Sequence, residues 1–423
     1  DLTPGKILEK VVELKFKEAF PAWPADSPVI IPQDHQISAT LSEAIFKSLN
    51  RIEKQANLSA PAVSNNWVVA GSRSAGSKPI LANDPHLMLT NPSIWWEAHM
   101  VCPTINVSGF TIAGAPGIAL GHNRHVAWGV TNVMVDDVDF FIEKINPDNP
   151  RQYLYKGRWE DMQIVEEIIR IKDKDPVHID IKLTGHGPIL KEDTAGSEPM
   201  AISVKWAFTD GLQSAKAFYL LAKATDTNRV VEALKYWELP GQNFVFADSK
   251  GNIGYWCCAT IPIRARGDGL LPVPGWNGDY EWTGYVPFEN RPHIINPEKG
   301  YIASANNKVA AGNFPDFISH YWEPGDRITR IHQLLNAPEK LSVEDFKQMQ
   351  QDIFSGLASE LSPQIVRALT KESEDADLQK AREILSEWDF KMEKDSVAAC
   401  LFEMTFMNML QNIFKDGRYC FNN

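Results

Sequence analysis

The chain reads as an α+β protein, and three observations lead there. Short β-branched and aromatic runs, separated by Gly, Pro, Asn and Asp, fill the stretch from Ser64 to about residue 207. Helical patterns come in pairs or in one block rather than once per strand. From residue 326 onward the apolar spacing is helical. Regular strand–helix alternation, which would point to a doubly wound parallel sheet, is missing.

The elements follow in order. Residues 40–53 suit an amphipathic helix: Thr40 and Glu43 make a capping-box pair, and Leu41, Ile45, Leu49 and Ile52 share a face. Residues 54–63 lack periodicity and read as a linker. Strand-like runs occupy 66–70, 78–82, 105–113, 125–131, 164–171, 177–183 and 201–207. Helices are expected near 212–224 and 228–237. Strands return at 243–247 and 253–261, joined by the turn signal Asp248-Ser249-Lys250-Gly251-Asn252. A Pro/Gly-rich loop spans 265–298, and helical faces near 327–335, 342–350, 360–369 and 396–414 complete the pattern.

With 423 residues, 44% of them hydrophobic, the chain can bury a large core. A net charge of −12 argues against nucleic acid as a partner, because a phosphate backbone needs a basic face. No apolar run approaches the roughly 18–20 residues that span a membrane. Cys102, Cys257, Cys258, Cys400 and Cys420 are odd in number and lack C-x-x-C spacing, so they read as free thiols and not as a zinc site. Nucleotide-binding and zinc-protease motifs are absent.

The most telling residue is Ser64, in Ser64-Asn65-Asn66-Trp67-Val68-Val69. It follows the linker and opens an apolar strand. A break between Val63 and Ser64 gives the serine a free α-amine beside its own hydroxyl. Such an amine titrates near about 7.7–8.0. One residue then supplies both nucleophile and base.

Further segments extend this run: Leu81-Ala82-Asn83-Asp84-Pro85-His86-Leu87, Ala127-Trp128-Gly129-Val130-Thr131-Asn132, Asp136-Asp137-Val138-Asp139, Gly185-His186-Gly187-Pro188, Asn243-Phe244-Val245-Phe246-Ala247-Asp248, Leu271-Pro272-Val273-Pro274-Gly275 and Gly325-Asp326-Arg327. In this order the sequence resembles the penicillin acylase (penicillin amidase) family, N-terminal-nucleophile hydrolases that cut linear amide bonds. The resemblance implies an αββα sandwich of antiparallel sheets, incomplete here, with a helical C-terminal region. It divides the chain into 1–63 (the end of an α chain plus its linker), 64–325 (the β-chain core) and 326–423 (the helical region of the β chain). It implies a self-cleaving, exported precursor of the periplasm, whose missing α-chain and C-terminal β-chain segments are partners. The substrate would be an N-acylated small molecule.

The same resemblance suggests roles. Ser64 is the nucleophile. Asn243 is a side-chain oxyanion donor, with a backbone N–H of Asn132 or Val133 as the second. His86 orients Ser64, Asn65 binds the free amine or shapes the turn, and Arg264 stands near Asn243 and holds the site. The segment Tyr301–Asn307, with Asn306 and Asn307, lines it. Leu87, Trp95, Val133 and Trp256 are candidates for the acyl pocket. Asp136, Val138 and Asp139 would ligate a structural Ca²⁺ through carboxylates and a carbonyl, completed by the α chain; no organic cofactor is expected. The alternative is an unprocessed or non-catalytic member acting as a binding or structural protein. Val63, where many members carry a small residue, favours it.

Overall fold

Strand alternation sets the layering. In the computed structural model, which describes residues 63–193, 199–207, 213–369 and 375–414, strand β1 (Val63–Val69) turns Trp67 and Val69 one way and Ser64, Asn66 and Val68 the other. It pairs with β2 (Ile80–His86) and β20 (Tyr301–Ser304) in an antiparallel sheet ordered β2-β1-β20. Against it lies a seven-stranded antiparallel sheet. Its order is β19 (His293–Ile295), β15 (Ile253–Cys258), β14 (Gln242–Asp248), β6 (Val126–Asn132), β5 (Leu120–Asn123), β4 (Ile105–Ile112) and β3 (Trp95–Cys102).

Each inner face packs on the other through Val68, Val245, Tyr255 and Ile302. The outer face of the large sheet, with Trp128, Phe244 and Phe246, is covered by α1 (Ser214–Ala222) and α2 (Thr227–Leu234). The outer face of the small sheet, with Trp67, Val69 and Ala303, meets α3 (Asp326–Asn336) and α4 (Val343–Gln350). The layers therefore run helix–sheet–sheet–helix, the αββα sandwich expected from the resemblance. Beyond it, α5 (Gly356–Ala368), α6 (Ala376–Ser386) and α7 (Val397–Phe414) gather around Leu385, Trp388 and Phe402.

The sheets approach closely at Gly129. A Cβ there would sit 2.7 Å from Asn83 Oδ1. That opening lets Asn83 of β2 reach across: it accepts the Val130 N–H at 2.6 Å and donates to Val130 O at 2.9 Å and Asn65 O at 3.0 Å.

An eight-stranded sheet stands beside the sandwich. Its order is β10 (Gln163–Ile169), β11 (Val177–Thr184), β12 (Gly187–Asp193), β13 (Met200–Trp206), β7 (Val138–Asn146), β8 (Asn149–Tyr155) and β9 (Arg158–Asp161), with β17 (Val273–Pro274) parallel to β7. Strands β16 (Pro262–Arg264) and β18 (Trp282–Tyr285) pair separately.

The expected strands and helices that fall on described residues all recur, with ends moved by a few residues. Strands β3, β5, β7, β8, β9, β12, β16 and β20 and helix α6 were not expected, and the supposed loop 265–298 carries β17, β18 and β19. The helix expected at 40–53, Cys420 and all of the linker before Val63 lie outside the described residues. The remaining cysteines are free thiols, with Cys257 and Cys258 buried.

The eight-stranded sheet is pinned by His186, in the turn between β11 and β12. Its Nδ1 lies 2.8 Å from Glu143 Oε1 and its Nε2 3.0 Å from Glu281 Oε1, while the ring stacks on Phe141 at 3.9 Å. Both ring nitrogens face carboxylates, an arrangement that suits an imidazolium with two donors. Burial alone would push the His186 pKa down; hydrogen bonds and charge from Glu143 and then Glu281 outweigh it and hold it above the ordinary value. The contribution is therefore whole below the unfolded value of about 6.5 and is lost as pH rises through the raised folded value. Thermal unfolding from about pH 5 to 9 is expected to show a fall in Tm on the alkaline side. His186→Gln should be less stable and should lose that slope, and equal slopes in the two proteins would contradict this account.

Candidate active site

Ser64 is buried at the start of β1, on the face that looks into the inter-sheet space. The register sets Val63 opposite His86 and Ser64 opposite Pro85. Its N–H donates to Asn306 Oδ1 at 2.6 Å, and its Oγ donates to the Val63 carbonyl oxygen at 2.7 Å. Asn306 follows the end of β20 with φ of 61°, a left-handed conformation that asparagine tolerates better than most residues. That bend turns its side chain toward the serine, and its Nδ2 donates to Asn132 O at 2.9 Å.

A guanidinium completes the cluster. Arg327, in the first turn of α3, donates through Nη1 to Ser64 O at 3.1 Å and Asn65 Oδ1 at 2.8 Å. Its Nη2 reaches Ala305 O at 2.8 Å, Asn306 Oδ1 at 3.2 Å and Glu323 Oε2 at 3.4 Å. Burial pushes its pKa below the usual arginine value, opposed by the charges of Glu323 and Asp326; an arginine stays protonated regardless. Ser64 is thus held at its N–H, its hydroxyl and its carbonyl.

The other expected residues divide. Asn243 is fully buried and makes no hydrogen bond to Ser64. Its Nδ2 faces Thr131 Oγ1 at 3.0 Å, Asn132 O at 3.1 Å and Ser304 Oγ at 3.3 Å, and its Oδ1 accepts from the Tyr255 hydroxyl at 2.7 Å. The side-chain amide on the serine belongs to Asn306 instead. Asn132 brings its carbonyl to both amides, while its own Oδ1 accepts the Met134 N–H at 2.9 Å. The Val133 N–H donates to Gly241 O at 3.3 Å, and its side chain is in the inter-sheet core. His86 ends β2 exposed, its Nε2 3.9 Å from Asp84 Oδ2, with no hydrogen bond to Ser64, and it pairs opposite Val63. Asn65 meets Arg327. The pocket candidates do not gather: Trp95 and Trp256 belong to the sheet–helix core and Val133 to the inter-sheet core.

Arg264 is a correction. It does not hold Ser64 or Asn243; its Nε and Nη2 bind Asp139 at 2.8 and 2.7 Å, and Nη2 also reaches Asp136 O at 3.1 Å. This pair bears on the calcium expectation. Asp139 Oδ2 also accepts from the Trp282 indole, so both its oxygens have donors. Burial pushes the Asp136 carboxyl up to about 7, against the pull of Arg264. No group of three or more His, Cys, Asp or Glu among the described residues is placed to hold a metal. As arranged, Asp136, Val138 and Asp139 do not fit a Ca²⁺ ion, whose hard cage needs several free oxygens; their counter-charge is Arg264.

Arg327 had no assigned role in the sequence. One signal marks it: Arg327 and Ile331 share the face of α3 that turns inward, and a cation on a buried helix face calls for a partner.

Arg264→Met would leave Asp139 buried without its cation, since the two side chains are 3% and 4% exposed. Denaturant unfolding is expected to show a loss of about 3–5 kcal/mol. A loss below about 1 kcal/mol, the range of an exposed pair, would contradict the assignment.

Known proteins resemble this chain in sequence and in fold. The sequence matches the penicillin amidase family over residues 13–419. It is 31% identical over 366 residues to the "Penicillin acylase 2 proenzyme" of Pseudomonas sp. (strain SE83), covering 86% of this chain and 47% of that protein. It is 30% identical over 375 residues to "Acyl-homoserine lactone acylase QuiP" of Pseudomonas fluorescens (strain Pf0-1), covering 85% of this chain and 46% of that protein. The chain thus spans about half the length of these curated relatives. Its fold superposes on a thermostable penicillin G acylase from Alcaligenes faecalis with a TM-score of 0.71 at 27% identity, covering 84% of this chain and 66% of that one. With sequence and fold both matching over most of the molecule, the chain belongs to the penicillin amidase family.

Proposed function

We propose that this chain is the catalytic part of an amide-bond hydrolase. It would remove the acyl group from an N-acylated small molecule through an ester on Ser64, after the Val63–Ser64 bond has been cut. One observation carries the proposal: Ser64 Oγ lies on the carbonyl oxygen of that very bond, while Asn306 holds the bond's N–H.

In the cut, Oγ adds to the Val63 carbonyl carbon, its proton passes to the Ser64 nitrogen, and the C–N bond breaks. Val63 is left as an ester on Oγ and the α-amine is free. Water then hydrolyses the ester, giving a Val63 carboxylate and an N-terminal serine. In turnover the amine takes the Oγ proton, Oγ adds to the substrate carbonyl, and the leaving amine departs with that proton. A second water releases the acid. Asn306 Oδ1, already on this nitrogen, keeps the amine in place. Arg327 donates to the same oxygen, and a cation so close disfavours the ammonium form, leaving more free base at neutral pH. Asn306 Nδ2, now on Asn132 O, would serve as the side-chain donor to the developing oxyanion, a role worth about 3–4 kcal/mol in barrier.

The names of the relatives support an acylated amine as the substrate class. The exposed Leu89, Trp96, Val101, Val397 and Met404 support packing against further segments of the same precursor. No described helix is long and apolar enough to cross a membrane. Export to the periplasm belongs to the same proposal and rests on the resemblance.

Intact-mass analysis of the full-length gene product is expected to give two chains, the heavier beginning at Ser64. Ser64→Ala should remain one chain and hydrolyse nothing. A single uncut wild-type chain would favour a binding or structural role, and a processed Ser64→Ala protein that still hydrolysed amides would overturn the nucleophile. In the active enzyme, Arg327→Gln is expected to move the acid limb of kcat/KM to higher pH, because the amine loses its neighbouring cation. An unmoved limb would remove Arg327 from that role.

A further inference from the structure

The polar cluster behind Ser64 contains a pair that the chemistry above leaves unused. Tyr255, fully buried on β15, donates its hydroxyl to Asn243 Oδ1 at 2.7 Å, with the Cys257 thiol beside the phenol. The diagonal placement across the β14–β15 pair makes this contact: Tyr255 stands opposite Val245, two residues along from Asn243 on the same face.

An asparagine amide has two orientations of nearly the same shape, and the hydrogen bonds around it select one. Here a phenol donor faces one end. Turned over, Asn243 would set its oxygen against the Asn132 carbonyl, acceptor on acceptor, and its NH₂ against the phenol. The Asn132 carbonyl, which can only accept, therefore keeps Nδ2 on it at 3.1 Å, and the Tyr255 hydroxyl holds the other end of the amide by donating to Oδ1. The same carbonyl takes Asn306 Nδ2 at 2.9 Å, and the other end of Asn306 holds the Ser64 nitrogen at 2.6 Å. Every contact in this series joins different strands or segments, so order imposed on Asn243 reaches the serine through two amides and one shared carbonyl.

We infer that Asn243 and Tyr255 are positioning residues: their buried hydrogen bond orients the Asn132 carbonyl, and through it the Asn306 amide that sits on Ser64. The inference rests on the proposed chemistry of Ser64. It gives Asn243 a role other than the oxyanion donor expected from the sequence. Both side chains are fully buried.

The test is Tyr255→Phe, which keeps the ring and removes the hydroxyl. Single-turnover and steady-state kinetics would be measured per titrated active site, so that misfolded protein does not count. The expected result is a kcat about tenfold lower with KM within about twofold, since small misplacements near a reacting centre cost this much or more. Slower cutting at Val63–Ser64 should accompany it. Asn243→Asp, which keeps the shape and sets an oxygen against the Asn132 carbonyl, should lose at least as much and decides the matter if Tyr255→Phe does not fold. Unchanged kcat per site in an active wild-type background would overturn this inference alone. So would a lowered Tm with unchanged kcat, the mark of a merely structural bond. A wild type that neither cuts itself nor hydrolyses amides would overturn the proposed function and this inference with it.

Discussion

Burying asparagines between two sheets obliges their polar atoms to find partners, and that obligation fixes where Ser64 sits. Asn83, Asn132, Asn243 and Asn306 each bridge separate segments. An unpaired amide there would cost about 1–3 kcal/mol, so the network admits few alternative registers. The neighbouring Asn66, also buried, is the exception: its Oδ1 has no partner within the described residues. Ser64 is held in an over-determined polar seam, not on a mobile loop.

The apolar layers make that seam possible. Trp67 and Val69 anchor β1 to α3 and α4, while Phe244 and Phe246 anchor β14 to α1 and α2. Each strand is thereby clamped from outside, and its inward residues are free to be polar. Arg327 links the two requirements. It lies on the same helix as Ile328 and Ile331, which pack on the small sheet, so burying that helix delivers a guanidinium to the Ser64 carbonyl.

Much of this was legible in the sequence. Runs of β-branched and aromatic residues marked β1, β4, β6 and β14, and apolar faces marked α3 and α4. Ser64 stood out because a polar residue opened an apolar strand. Other elements left weaker traces. β3 lies at a sheet edge with Trp96 and Val101 exposed, so its pattern does not alternate. β7 begins inside the acidic run Asp136–Asp139, which looks like a metal loop until Arg264 is seen to pair with it. α6 is mostly polar and buries only Leu385. Motif order also gave residue types without neighbours. It assigned leading roles to Asn243 and Arg264, and only the pairing of β20 with β1 and the packing of α3 bring Asn306 and Arg327 to the serine instead. The partner of the acidic run was hidden for the same reason, since Arg264 comes from more than a hundred residues away.

The account stands on Ser64 as a terminal nucleophile with its own amine as base. Reaction of the mature protein with phenylmethylsulfonyl fluoride, followed by peptide mapping, tests this directly. The account predicts one sulfonyl group per site, on the hydroxyl of an N-terminal Ser64, with hydrolysis lost in proportion. Loss of hydrolysis with the label on another residue and Ser64 unmodified would contradict it.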